Sequence, residues 1–164
     1  MTEHEHIPTE NSIVEPERYG PGPWVGEPDR LEWRHRGFPC LMLRGNPRLG
    51  AWCGYVGVPP GHPWYGDSEP ECAVHGSVTY ASKCAGHVCH VPQPGESDDV
   101  WWVGFDCGHA GDIVPGMQLE PGGRDSYKTV AYVRAECEQL ADQAASLPVS
   151  LVVQCELPAK AGEQ

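Results

Sequence analysis

"VWWVGFDCGHAGD", residues 100–112, opens as an apolar strand and ends in four groups able to bind metal or carry protons: Asp106, Cys107, His109 and Asp112. Residues 100–106 alternate around bulky side chains, the pattern of a strand packed on at least one face. Glycines and polar groups then stop it. Working outward, "FPCLMLR" (38–44) and "AWCGYVGVP" (51–59) read as two earlier strands, the second ended by Pro59 and Pro60. Between them "RGNPRLG" is a turn. The loop "PPGHPWYGDSEPE" has too many prolines to pair as a strand.

"AVHGSVTYA" (73–81) alternates, with Val74, Val78 and Tyr80 on one face and His75, Ser77 and Thr79 on the other. Its spacing predicts a half-buried strand. "SKCAGHVCHVPQPGESDD" (82–99) reads as a long irregular connection back to residue 100.

In "DSYKTVAYVRAECEQLADQAASL" (125–147), Val130, Val133, Cys137, Leu140 and Ala144 recur at helical spacing. Asp125 or Ser126 is the expected cap, and Pro148 closes the helix. "VSLVVQCEL" (149–157) is expected as a last buried strand. The fold class is therefore α+β: a mainly antiparallel β-sheet with one long helix packed on a face, rich in loops. Residues 1–30 are expected as an extended, partly disordered arm, 31–158 as a single domain and 159–164 as a tail.

Composition narrows the function. A formal net charge of −12 repels phosphate backbones, so ordinary nucleic-acid binding is not expected. No apolar run approaches the ~20 residues of a membrane span, and no secretory signal opens the chain, which points to the cytoplasm. In that compartment the eight cysteines read as buried thiols, metal ligands or redox groups, although an even count leaves a disulfide frame open. A Cys-x-x-Cys redox motif does not occur.

Antiparallel pairing of residues 74–81 with 100–106 divides the candidate ligands into two groups. His75 comes beside Asp106, His109 and Asp112, with Cys107 adjacent and His62 in a loop able to fold over the same end. Imidazoles and carboxylates with an open position suit Zn, Mn or Fe and the activation of water. A metal-free version has Asp106 orienting a histidine as general base, and in the metal-dependent version His62 is a candidate proton donor. The other group is "CAGHVCH": Cys84, His87, Cys89 and His90, the N/S mixture zinc prefers. Cys72, or Cys107 with His109, would complete it under a different pairing. Cys40, Cys53, Cys137 and Cys155 sit among apolar neighbours and read as core thiols.

"GYVGVPPGHPWYG" (54–66), "VHGSVTYA" (74–81), "CHVPQPG" (89–95) with "DDVWWVGFDCGHAGD" (98–112), and "YVRAECEQLADQ" (132–143) together resemble a family of small hypothetical proteins of phages and prophages. The resemblance covers roughly residues 50–146 and carries over no catalytic residue. It implies an accessory protein working in the host cytoplasm of an infected cell. Two functions follow as expectations: a zinc-binding accessory protein that binds a host protein or small molecule, or a metal-dependent hydrolase or phosphoesterase.

Overall fold

A computed structural model of the chain describes residues 12–117 and 123–150. Its centre is a five-stranded antiparallel sheet of β1 (Arg30–His35), β2 (Phe38–Arg44), β3 (Trp52–Val58), β4 (Tyr80–Lys83) and β5 (Trp101–Asp106), in the order β1-β2-β3-β5-β4. A short helix, α1 (Pro16–Tyr19), precedes the sheet, and α2 (Val130–Ala145) packs across β2 and β3. This is the expected α+β class, with a mainly antiparallel sheet and one long helix on a face.

The helix-facing side of the sheet buries Met42, Trp52, Val56, Val103 and Phe105 against Val133, Cys137, Leu140 and Ala144 of α2. These helix positions recur at three and four residues, so one stripe faces the core. Gly54 permits the close approach: a Cβ there would meet Cys137 Sγ at 2.5 Å and the Phe105 ring at 2.6 Å. On the opposite face Leu41, Leu43, Tyr55, Val100 and Trp102 are covered by the connection before β5, through Val88.

Strand β1 was not among the expected strands. It is joined to β2 by the two-residue turn Arg36-Gly37, both at positive φ (53° and 83°). Such turns match the twist of the strands they join. Helix α2 begins later than expected, at Val130. Thr129 caps it instead of Asp125 or Ser126, its hydroxyl accepting from Tyr132 N at 3.3 Å.

The expected strand 73–81 forms only at its end, as Tyr80–Lys83. Its alternation also breaks, because Val78 packs on the helix side while Tyr80 packs on the other. Side chains of α2 take the place of a strand partner. Gln143 receives the Ala73 N–H at 2.8 Å and donates to the Ala73 carbonyl at 2.7 Å, and Glu136 receives the His75 N–H at 2.9 Å. These bonds pull residues 73–75 toward the helix and out of the sheet's hydrogen-bonding plane.

Residues 12–29 of the expected arm are packed. Val14 is fully buried, and Ile13 bridges to Pro28. Asp29 receives bonds from Ser12 at 2.7 Å and Arg18 at 2.8 Å. Glu27 pairs with Arg44 at 2.8 Å. The buried Arg44 on β2 thus draws the acids of the arm onto the sheet. Residues 1–11, the expected last strand at 149–157 from residue 151 onward, Cys155 and the tail lie outside the described residues.

Candidate metal centre

Beyond the end of β5 the chain turns sharply. Asp112 N donates to the His109 carbonyl at 2.9 Å, and His109 N donates back to Asp112 Oδ2 at 3.0 Å. A bridge to Ser126 fixes Asp112 from the segment leading into α2. The connection at 73–79 delivers His75 from the other side. His75 Nε2 then lies 2.8 Å from Asp112 Oδ2, and the rings of His75 and His109 are 5.7 Å apart. Gly76 provides the space: a Cβ there would lie 2.3 Å from the His109 ring, and its φ of +71° already disfavours a side chain.

His75, His109 and Asp112 each place one donor atom within 4.8 Å of the other two. Asp112 is nearly sealed at 3 % side-chain exposure, whereas His109 is 34 % exposed, so the cluster has a closed floor and an open side. His109 Nδ1 is buried yet has no hydrogen-bond partner, and it lies 3.7 Å from both Asp112 Oδ2 and Asp106 Oδ1. That is too long for a hydrogen bond. It is a few tenths of an ångström more than the ~3.3–3.4 Å that separates two donors placed ~2.0–2.1 Å from a tetrahedral zinc.

Helix α2 and its approach supply the outer contacts. Tyr132 OH lies 2.9 Å from His75 Nδ1, and Lys128 Nζ lies 3.5 Å from Asp112 Oδ1. Burial, then the charge of Glu136, holds the Tyr132 phenol above its ordinary pKa, so it is a hydroxyl at neutral pH. The Asp112 carboxylate can only accept, so His75 Nε2 is the donor in their contact. An ion held at Nε2 would take the place of that proton, and Nδ1 would donate to the phenol oxygen. A ligating histidine held at its second nitrogen is the usual arrangement in metal sites. Tyr132, Glu136 and Lys128 were not among the sequence candidates. For Tyr132 and Glu136 the signal was their i, i+4 spacing beside the apolar stripe of α2; Lys128 precedes the helix.

The other expected residues are placed differently. Asp106 lies on the far face of the sheet from His75 by strand parity, opposite Cys53 in register. It reaches the cluster only through His109, and its Oδ1 accepts from Gly108 N at 2.9 Å. In the metal-free arrangement Asp112 is therefore the residue that orients His75, in place of Asp106. Cys107 is a core thiol, 3 % exposed, and burial, then the Asp112 charge, pushes its pKa up. His62 does not fold over this end. It is buried against the last turn of α2, bonding to the Ala144 carbonyl at 2.9 Å, roughly 18 Å along the helix from Tyr132.

The second expected group is also rearranged. Cys84 and Cys89 are joined in a disulfide, so in this form neither is a thiolate donor. β4 does pair antiparallel with β5, Lys83 opposite Trp101, which sets Cys84 at the start of β5. Cys107 and His109 follow the strand's other end and are not its partners. Cys72 is half-buried against the helix-side core, where burial raises its pKa. Trp101 packs its ring 6.0 Å from Tyr65.

No family model, no curated protein and no solved structure matches the chain. Among the described residues, no helix is long and apolar enough to cross a membrane.

Proposed function

We propose that the protein binds a divalent metal ion of the zinc class through His75, His109 and Asp112, and serves as a phage-type accessory protein in the host cytoplasm. The observation that carries this reading is the convergence of three donors from two segments, 75 and 109–112, within 4.8 Å, where His109 also keeps a buried ring nitrogen without a partner. The ion ties the 73–79 connection to the turn after β5, and its free position takes a small molecule or a side chain of a host protein. The resemblance to phage and prophage proteins supports the setting.

The exposed side of His109 favours a second reading, hydrolysis. A structural zinc site is closed by four protein ligands, whereas here three donors leave room for water. When bound, the ion would lower the pKa of that water toward ~7. Asp112 and His75 would orient the site, and Lys128 would offset negative charge beside it.

Metal analysis of the purified protein after zinc loading tests the common core. About one ion per chain is expected at this site, lost in His109→Ala and retained in Cys84→Ala. Retention in His109→Ala would overturn the assignment. Turnover of bis-(p-nitrophenyl) phosphate by the zinc-loaded wild type, absent in His109→Ala, selects the hydrolase; no turnover with intact binding selects the accessory role.

A further inference from the structure

The loop from Cys84 to His90 holds three buried imidazole nitrogens that nothing satisfies. His90 is only 7 % exposed, and neither its Nδ1 nor its Nε2 has a hydrogen-bond partner; His87 Nδ1 is also unpartnered. Buried polar atoms left unpaired cost free energy and are rare in folded proteins. The nearest acid, Glu96, comes within 3.9 Å of His90 Nε2 but is committed to Arg34 and to the backbone N–H of Gln93.

Cys84 and His90 share a neighbour, Trp102. The His90 ring packs edge-on against Trp102 at 5.4 Å, and the N–H of that same indole donates to Cys84 Sγ at 3.4 Å. Cys89 is bonded to Cys84. Sequence neighbours such as Cys89 and His90 point apart in a strand, but residues 84–90 are not a strand here. The loop is also anchored independently of its disulfide. The Arg30 guanidinium donates to the carbonyls of His87 at 2.7 Å and Cys89 at 2.5 Å, and Val88 is buried among Leu41, Leu43 and Trp102. Breaking the S–S bond therefore leaves the backbone held. His90 also borders a surface groove of about 330 Å³.

We propose that this loop is a redox-gated metal site: oxidised, it is the Cys84–Cys89 disulfide; reduced, Cys84, Cys89 and His90, with His87 as fourth donor, hold a thiophilic divalent ion such as zinc. A dithiol supplies two electrons and two protons. The S–S bond breaks, two thiols form, and the dithiol leaves as its own disulfide. Ion binding then displaces both thiol protons to solvent as two sulfur–metal bonds form. The sulfurs part to the ~3.8 Å spanned by two ~2.3 Å zinc–sulfur bonds. The Trp102 N–H stabilises the Cys84 thiolate, and the ion satisfies the imidazoles. This site is separate from the His75 cluster and does not depend on it.

Cobalt is the probe, because only thiolate ligands give sulfur-to-cobalt charge-transfer absorption. Full-length protein reduced with a phosphine, then freed of it, should develop that band with cobalt, in the wild type and equally in His109→Ala. The oxidised protein should not. Cys84→Ser/Cys89→Ser should abolish the band, and His90→Ala should weaken cobalt affinity at least about tenfold. A check without variants is alkylation of the reduced wild type, where zinc should slow modification of Cys84 and Cys89 by about tenfold or more. Absence of the band from the reduced wild type, its survival in the double serine variant, or equal alkylation with and without zinc would overturn the proposal. Since His/Asp coordination yields no such band, failure here leaves the His75 reading standing, and the reverse holds too.

Discussion

Two polar clusters lie beside the segment that leads into α2, and they differ in how far each is bonded and how open it is to solvent. Around Arg44 most donors are used, and the one buried nitrogen without a partner, Nε, faces the Asp29 carboxylate at 4.0 Å. The guanidinium is 2 % exposed and stacks on Trp52 at 3.8 Å. It donates to Glu27, to the Gly50 carbonyl and to Tyr127 OH, each at 2.8 Å, and Tyr127 OH donates to Glu27 at 2.5 Å. Around Asp112, one residue further along the same segment, Lys128 replaces Tyr127 as the contact. There His109 keeps a buried nitrogen unpaired, with carboxylate oxygens on two sides and solvent on a third. A satisfied network holds the fold together. A half-satisfied one is tolerated when something else completes it.

The comparison can be broken most directly at Arg44. Arg44→Ala strands the buried Glu27 carboxylate and should cost about 3–5 kcal/mol in urea unfolding; a loss under about 1 kcal/mol would mean that the cluster does not pin the arm. Zinc at a hundred times its Kd should raise the unfolding free energy of the wild type by about 2.7 kcal/mol, and a chelator should reverse the gain. Under oxidising conditions His109→Ala should show no such gain.

Gly76→Ala crowds the His109 ring at a left-handed backbone position. It should lower stability by about 1–2 kcal/mol and also weaken zinc binding, as read by calorimetric titration. A variant that loses stability alone would show that Gly76 serves only the turn.

Both clusters rest on the helix-side core, and its thiols make that core sensitive to alkali. Burial pushes Cys40 from 9.0 up to about 12, and desolvation likewise brings Cys53, on the other face, to about 11. The unfolded chain therefore releases these protons first. Their contribution is fully present below about pH 9 and falls as pH rises above it, by at most about 1.4 kcal/mol per pH unit for each thiol until the folded pKa is passed. A flat stability profile between pH 9 and 11 would contradict this. The smallest effect is expected for metal-free His109→Ala, within about 0.5 kcal/mol of wild type, since its ring nitrogen makes no bond to lose.

Much of this was legible in the residues. The apolar runs at β2, β3 and β5, and the stripe Val133, Cys137, Leu140 and Ala144, are local patterns, and local patterns survive folding. The β1 hairpin was not expected, although "RHRGF" carries a signal for it: glycine sits at the position a tight hairpin turn favours. The segment 73–79 was not. Its alternation is real, but Glu136 and Gln143 outbid a neighbouring strand for its backbone, and both lie more than sixty residues away. That diversion carries His75 to Asp112 on the helix side and leaves Asp106 at the margin.

By itself, then, the sequence determined the α+β class, the helix and its buried face, and the short list of imidazoles, thiols and carboxylates with chemistry to offer. Only the tertiary structure decided the company they keep: His75 with Asp112 and His109, Cys84 with Cys89, His62 under the far end of α2. Periodicity is set by each residue's near neighbours, whereas a site's membership depends on which face a chain presents after distant side chains have competed for its backbone.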